Sequence, residues 1–218
     1  MLRIIDWPGA AALLFLCCPL NVQQGGHARS RMSAERSPGA HMLADLRDGQ
    51  TYRTLELGGL RWMAENLRYA TAASGCYDDD VENCLRWGRL YSFEDGLNAC
   101  PAGWRVPSDR DWMRLERELG VSPAILSQER IRRGEAGSRL RQGGGSGFDA
   151  LPAGYSDPHL GGEFRRGGEA AAFWTSSLAG EDDVSRVAWH RDVNASQPGI
   201  YRSRVNVTYR LSIRCVRG

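Results

Sequence analysis

Short alternations of apolar and polar residues, separated by turn-forming residues, run through most of this chain. The clearest pair lies at Thr51–Leu57 and Leu60–Ala64, where strand-forming residues flank two consecutive glycines. Two such runs around a glycine pair predict a β-hairpin. Because successive side chains alternate between the faces of a strand, Leu57, Leu60 and Trp62 are expected to be buried on one side of the hairpin.

The apolar period lengthens to that of a helix between Ser108 and Gly120. Trp112, Leu115 and Leu119 recur at the i, i+3, i+7 spacing that places side chains on one helical face. Ser108 is followed three residues later by an aspartate, which is typical of a capping box at a helix start. Gly120 supplies a C-terminal stop. The segment is therefore predicted to be an amphipathic helix with its apolar face in the core.

A second, shorter helix is predicted at Phe93–Ala99. Ser92 precedes it as the expected N-cap, Asp95 stands at the capping-box position, and Pro101 ends the helix. The run Trp87–Tyr91 just before it is rich in strand formers, so it is predicted to be a short strand.

The chain after Gly134 is rich in loops with short strand-like runs between them. These runs are Phe173–Ser177, Val184–Trp189, Gly199–Arg204 and Tyr209–Val216. Two helices combined with many short antiparallel strands and long loops predict an α+β domain.

The N-terminal segment has a different composition. An apolar run at Ala10–Leu20 is shorter than the ~20 residues that a membrane-spanning helix needs, and it has the length of a signal-peptide core. Residues 1–28 are therefore predicted to be a signal peptide. Residues 29–45 are small and polar without periodicity and are predicted to be a flexible linker. The folded domain is predicted to span 46–218.

Two alternatives to a cleaved signal peptide remain open. Cys17 and Cys18 raise the alternative of a lipid anchor, although the bulky residues before them do not suit lipoprotein processing. Translation starting at Met32 or Met42 would remove the apolar run altogether.

Four cysteines lie in the predicted domain, at positions 76, 84, 100 and 215. An even number in an exported domain suggests disulfides, for which three connectivities exist. In the simplest connectivity, Cys76 and Cys84 form a disulfide within one turn-rich stretch, which leaves Cys100 to pair with Cys215. A zinc site is the competing interpretation, but it requires short paired spacings such as Cys-x2-Cys, which the domain lacks.

Charge and acidic patterning exclude some classes of function. The 28 basic and 26 acidic residues give a net charge of +2, which argues against a nucleic-acid-binding surface. The acidic run Asp78–Asp80 followed by Glu82 lacks the ligand alternation and the glycine of an EF-hand. It is predicted to be a solvated loop, so no metal ligands and no cofactor are predicted, and calcium is not supported by a motif.

Seven segments, in the same order along the chain, carry a specific resemblance. They are Asp48–Tyr52, Trp62–Leu67, Gly88–Tyr91, Ala99–Asp109, Leu151–Tyr155, Phe173–Ser177 and Ile213–Val216. Together they resemble the Fibrobacter succinogenes major paralogous domain family of bacterial exported domains, over 46–218. The resemblance implies export and often surface anchoring, without an agreed activity. It also implies a C-type-lectin-like fold in which Cys100 and Cys215 close the domain.

The function expected from this resemblance is that of an exported or cell-surface binding module without catalytic residues. Its loops, about 134–210, would contact an envelope protein or a glycan, because loops on a rigid scaffold carry variable contacts. A membrane would be reached only through an N-terminal anchor. The candidate ligand-binding residues are Tyr155, Trp189, His190, Asp192 and Tyr201.

A calcium-dependent sugar site of the lectin type is not supported by the sequence. Such lectins hold calcium with Glu-Pro-Asn or Gln-Pro-Asp and with Trp-Asn-Asp. Here Gln197-Pro198-Gly199 lacks the acid, and His190 and Arg191 stand between Trp189 and Asp192.

Two other functions are weighed against a binding module. Formylglycine-generating enzymes resemble this fold class and use a reactive cysteine pair, whereas all four domain cysteines here have structural assignments. A free cysteine of low pKa would favour the enzyme. A diversity-generated surface receptor, variable between Trp189 and Arg214, is the third hypothesis.

Overall fold

The computed structural model describes residues 41–132, 134–181 and 185–218. The predicted signal peptide at 1–28 and most of the predicted linker at 29–45 lie outside these residues. The end of that linker is described, and His41–Ala44 form strand β1. Hydrogen bonds to the next strand hold β1 in place, so the sheet begins upstream of the boundary predicted at residue 46.

The first sheet contains the predicted hairpin. Its four strands are ordered β1-β2-β3-β10, all antiparallel, with β2 at Thr51–Leu57, β3 at Leu60–Met63 and β10 at Val216–Arg217. Both hairpin glycines have positive φ, and a Cβ at Gly58 would lie 2.7 Å from the backbone nitrogen of Leu115. Glycine is therefore required there, and the hairpin prediction is confirmed, with its three apolar residues buried.

The second and third sheets occupy the C-terminal half. The second is ordered β4-β9-β8-β7 and the third pairs β5 with β6. Their strands are β4 Arg130–Arg132, β5 Tyr155–Asp157, β6 Glu163–Arg165, β7 Ala170–Glu181, β8 Arg186–Asn194 and β9 Ile200–Asn206. The α+β class predicted from the sequence is confirmed.

Four α-helices lie in the described residues, where two were predicted. They are α1 Val81–Trp87, α2 Phe93–Leu97, α3 Asp109–Glu118 and α4 Ala136–Leu140. The predicted capping box of α3 is present: Ser108 Oγ accepts from the Asp111 amide at 3.2 Å, and Asp111 Oδ2 accepts from the Ser108 amide at 2.8 Å. Short 3₁₀ turns occupy Tyr77–Asp79, Pro123–Ile125 and Pro158–Leu160.

Two local predictions near α2 were wrong. Ser92 makes no side-chain cap at the start of α2, and the Asp95 side chain accepts from the Thr71 hydroxyl instead of completing a capping box. The strand predicted at Trp87–Tyr91 begins with the last residue of α1, and only Leu90 and Tyr91 form isolated bridges.

The last predicted strand, Tyr209–Val216, was also wrong over most of its length. The segment forms single bridges to several different partners, among them Ser156, Tyr91 and Phe173, before β10 begins. It therefore runs between the sheets, connecting them, instead of completing one ladder.

An aromatic cluster fills the core between α3 and the two large sheets. Trp62, Trp112, Phe148 and Phe173 pack with ring centroids 5.0 to 5.9 Å apart. Each is fully buried. Such pairs add about 0.5–1.5 kcal/mol beyond their area burial. The aromatic residue of α3 is therefore a core residue, as predicted.

A buried ionic cluster ties α3 to β8 and β9. Arg191 Nε donates to Glu116 Oε1 at 2.6 Å, and both side chains are fully buried. Arg202 and Arg191 each lie within 2.8 Å of the Asp109 carboxylate. Burial alone would raise the pKa of Asp109, but the hydrogen bonds and charges of these two arginines outweigh it and hold the pKa below its usual value.

Both predicted disulfides are present. Cys76–Cys84 closes a short loop and Cys100–Cys215 spans 115 residues, with Sγ–Sγ distances of 2.03 and 2.08 Å. Disulfides of this kind persist in oxidising compartments, so the two bonds favour an extracytoplasmic location. No helix of the described residues is long and apolar enough to cross a membrane.

Candidate functional site

The alternation of side chains along β8 divides the candidate residues between two faces of the sheet. His190 and Asp192 share one face, whereas Trp189 and Arg191 share the other. In the antiparallel pairing of β8 with β9, Asp192 lies directly opposite Tyr201. Asp192 and Tyr201 are therefore neighbours on one face of the second sheet.

A recess with two chambers lies beside this face, and we call it the β8–β9 recess. The tyrosine chamber, of about 220 Å³, is lined by Tyr155, Arg166, Ala172, His190, Asp192, Arg204, Val205, Tyr209 and Leu211. The amide chamber, of about 360 Å³, is lined by Arg166, Asp192, Asn194, Gln197, Gly199 and Tyr201. Arg166 and Asp192 belong to both chambers.

The carboxylate of Asp192 has unused hydrogen-bonding capacity. Its Oδ2 lies 3.9 Å from Arg166 Nη1 and 3.8 Å from His190 Nε2, distances too long for direct hydrogen bonds. The Asp192 side chain is only 14% exposed, and no described residue donates a hydrogen bond to it. Asp192 lines both chambers and neither of its oxygens is fully enclosed, so the carboxylate can accept a hydrogen bond from a ligand in the recess.

His190 adds a second unpartnered polar atom beside the same carboxylate. Its Nδ1 is buried and forms no hydrogen bond with any described residue. The residue as a whole is 9% exposed. An unmade hydrogen bond of a buried group is costly, which makes such atoms typical of functional sites.

Arg166 occupies a backbone conformation that glycine would adopt more easily. Its φ is 59°, in the left-handed region, at the turn between β6 and β7. A non-glycine residue there costs roughly 1–2 kcal/mol. Gly167 and Gly168 follow it directly, so glycines occupy the rest of this turn. The arginine thus places a guanidinium in the recess at the expense of backbone stability.

Two tyrosines form an aromatic wall of the tyrosine chamber. The ring centroids of Tyr155 and Tyr209 are 6.0 Å apart. Tyr209 Oη donates to Asp157 Oδ2 at 2.7 Å. Partial burial, together with this hydrogen bond to the Asp157 carboxylate, raises the pKa of Tyr209 to about 12. Tyr209 is thus a fixed, neutral hydrogen-bond donor at neutral pH.

Arg204 also lines the tyrosine chamber, but it lies opposite Trp189 in the β8–β9 pairing, so its guanidinium is on the other face of the sheet. Arg204 Nε lies 2.9 Å from Glu129 Oε1, and both side chains are more than a third exposed. The charge available in the recess therefore comes chiefly from Arg166 and Asp192, which nearly cancel each other.

Four of the five predicted site residues line the recess. Tyr155, His190 and Asp192 line the tyrosine chamber, while Asp192 and Tyr201 line the amide chamber. Trp189 does not, because it points to the opposite face of β8. There its indole lies 3.2 Å from Arg202 Cζ, measured to the ring centroid.

The residues that sequence reasoning missed come from elsewhere in the chain. Arg166 lies in a turn, and Tyr209 lies in the segment that was predicted as a strand. Asn194 is the last residue of β8, and Gln197 lies in the turn between β8 and β9. The alternation of side chains along β8 was the available signal, because it places His190 and Asp192 on one face of the strand and Trp189 on the other.

The acidic run of the Cys76–Cys84 loop does not assemble a metal site. Asp78, Asp79 and Asp80 are exposed. Within the part of the chain that the structure describes, no three His, Cys, Asp or Glu side chains are grouped so that they could hold a metal ion.

The fold and the recess define a class: an α+β domain closed by two disulfides, with a polar, aromatic-walled recess on its larger C-terminal sheet. The family model described as the Fibrobacter succinogenes major domain matches residues 55–217. The chain belongs to this family. No curated protein and no solved structure gives a significant match to it.

Proposed function

We propose that this chain is an exported, non-catalytic binding module whose ligand occupies the β8–β9 recess. The observation that carries the proposal is the Asp192 carboxylate, which is nearly buried and accepts no hydrogen bond from the described residues. It lies beside the Arg166 guanidinium and close to the wall formed by Tyr155 and Tyr209. Convergent polar groups in an aromatic-walled concavity are the usual features of a ligand site.

A carbohydrate fits the recess better than an anion or a cation does. Asp192 and Arg166 offset each other in charge, so a neutral ligand fits without an unbalanced ion. The carboxylate accepts from one sugar hydroxyl while the guanidinium donates to a neighbouring one. The tyrosine rings offer apolar faces for the C–H side of the sugar ring.

The second chamber extends the site beyond one sugar ring. Asn194 and Gln197 line it, and each carries both a donor and an acceptor. Because the Arg166–Asp192 pair borders both chambers, a glycan of two or more residues would lie across this pair.

The proposed fold is C-type-lectin-like, and three features support it. Cys100, just after α2, is joined to Cys215, just before β10. A second helix opens with the Ser108 capping box. The long C-terminal segments carry the recess.

Export to the cell surface, the periplasm or the medium is supported by the disulfides and by the signal peptide predicted at 1–28.

The substitution Arg166→Gly separates binding from stability. Removing the guanidinium is expected to weaken glycan binding at least tenfold, since hydrogen bonds to charged groups contribute about 1.5–3 kcal/mol. Glycine relieves the left-handed backbone, so the free energy of unfolding should stay unchanged or rise by about 1 kcal/mol. Asp192→Asn should also lose binding. A glycan array followed by calorimetric titration of the strongest hit measures both effects.

Trp189→Phe is the matched control, because this aromatic residue was a candidate from sequence but lies outside the recess. It is expected to keep wild-type affinity. The proposal is wrong if the array shows no binding, or if Arg166→Gly and Asp192→Asn bind like the wild type. If the wild type captures an envelope protein that both variants fail to capture, the recess is still the binding site, but its ligand is a protein and not a carbohydrate.

A further inference from the structure

The Cys76–Cys84 disulfide lies against a guanidinium that has no ion-pair partner among the described carboxylates. Arg89 Nη1 is 3.5 Å from Cys84 Sγ and 3.9 Å from Cys76 Sγ. Arg89 Nε donates to the Ser74 hydroxyl at 2.9 Å, and its Nη2 donates to the Ser74 carbonyl at 3.2 Å. Both partners are neutral, so they fix the guanidinium beside the sulfurs without neutralising it.

We propose that Cys76–Cys84 is a redox-responsive bond that opens in the folded protein, while Cys100–Cys215 stays closed. A cation beside a sulfur stabilises the thiolate, and a more stable thiolate makes a disulfide easier to reduce. No described cation lies within hydrogen-bonding distance of the Cys100 or Cys215 sulfur. This inference goes beyond the proposed function, and its redox step does not depend on it.

The exchange has a defined direction. Cys76 is partly exposed and Cys84 is buried, so the thiolate of an external dithiol attacks Cys76 Sγ. The Sγ–Sγ bond breaks, and Cys84 leaves as a thiolate beside Arg89. The second thiol of the reductant then attacks the mixed disulfide, which releases Cys76 as a thiolate and the reductant as its own disulfide. A good leaving group accelerates the first step.

Nearby carboxylates oppose this effect but do not cancel it. Asp78, Asp79, Asp80 and Glu82 lie in the same loop and would repel a thiolate. All four are exposed, so water and salt screen them. Arg89 contacts the leaving sulfur directly and is itself partly buried, so its influence on that sulfur is the larger one.

Opening of the bond would reach the β8–β9 recess through Tyr77. This residue follows Cys76 directly, and its ring lies 5.2 Å from the ring of Phe164 in β6, between centroids. Its Oη accepts from the Gly167 amide at 3.1 Å. A Cβ at Gly167 would overlap the Tyr77 ring. Gly167 directly follows Arg166. The Cys76–Cys84 bond therefore helps, through Tyr77, to hold the turn that positions the Arg166 guanidinium.

The test is stepwise reduction of the native protein in dithiothreitol redox buffers, followed by alkylation and peptide mass spectrometry. Cys76–Cys84 is expected to open at a higher potential than Cys100–Cys215, before any loss of the folded state. Arg89→Gln should make it about tenfold harder to reduce, which is about 30 mV for a two-electron couple. Arg89→Lys should restore most of the wild-type value.

Arg86→Gln is the matched control, because it removes an equal charge from the exposed side of α1 without contacting a sulfur. It should leave the midpoint unchanged. Hydrogen exchange of the selectively reduced protein should show faster exchange of the Gly167 amide. The proposal is overturned if both disulfides open together, if Arg89→Gln behaves like Arg86→Gln, or if the Gly167 amide keeps its protection.

Discussion

Replacing Arg191 with methionine is expected to lower the free energy of unfolding by about 3–5 kcal/mol, the usual result of breaking a buried ion pair from one side. Arg191 is fully buried, and its Nε donates to a Glu116 carboxylate that is fully buried as well. The variant would remove the guanidinium that lies between the Glu116 and Asp109 carboxylates inside this buried cluster. Urea unfolding followed by tryptophan fluorescence measures the change.

Two further variants test the reason for this loss. Arg61→Met removes a similar pair at the surface of β3, where Arg61 Nε lies 2.7 Å from Glu56 Oε1, and should cost at most about 1 kcal/mol. Removing both charges in Arg191→Met/Glu116→Met should recover part of the stability. A loss below about 1 kcal/mol for Arg191→Met alone would show that the cluster does not hold α3 to the sheet.

Removing the Cys100–Cys215 bond is expected to have an effect of similar size. The bond spans 115 residues, and the chain-entropy model assigns a loop of that length about 5 kcal/mol. The double variant Cys100→Ala/Cys215→Ala should therefore lose much of the free energy of unfolding, which is about 5–15 kcal/mol for an ordinary domain. Thermal unfolding of the purified variant measures the loss.

The second disulfide supplies the comparison. Cys76–Cys84 spans only 8 residues, so Cys76→Ser/Cys84→Ser should cost about half as much in the same model, roughly 2.5 kcal/mol. Equal losses for the two double variants, or a larger loss at Cys76–Cys84, would contradict the assignment of Cys100–Cys215 as the bond that closes the domain.

Elements with complete local signals were predictable from the sequence. The β2–β3 hairpin has its glycine pair, and α3 has both its apolar face and its capping box. By contrast, α1 was missed because its apolar residues do not form a buried stripe: Val81 and Leu85 are 63% and 67% exposed. The Asp80 side chain caps its start, and the Cys76–Cys84 bond joins it to the preceding turn, so its stability comes from local bonds more than from packing.

The recess could be predicted only in part, because its walls come from distant segments. Strand β8 contributes His190 and Asp192 together, and the sequence pointed to both. Tyr209 reaches the recess because its segment passes between the sheets through single bridges, which leave no periodic pattern. Arg166 reaches it from a left-handed turn position where glycine would be the expected residue.

The most direct test of the binding site is to map ligand contacts by NMR on the isotope-labelled protein, titrated with a panel of neutral hexose disaccharides. Chemical-shift changes are expected to concentrate at Arg166, Asp192 and the tyrosines of the recess, with few changes at Trp189 or on α1. Shift changes concentrated away from the recess, or none with any disaccharide, would contradict the claim that the β8–β9 recess is a carbohydrate-binding site.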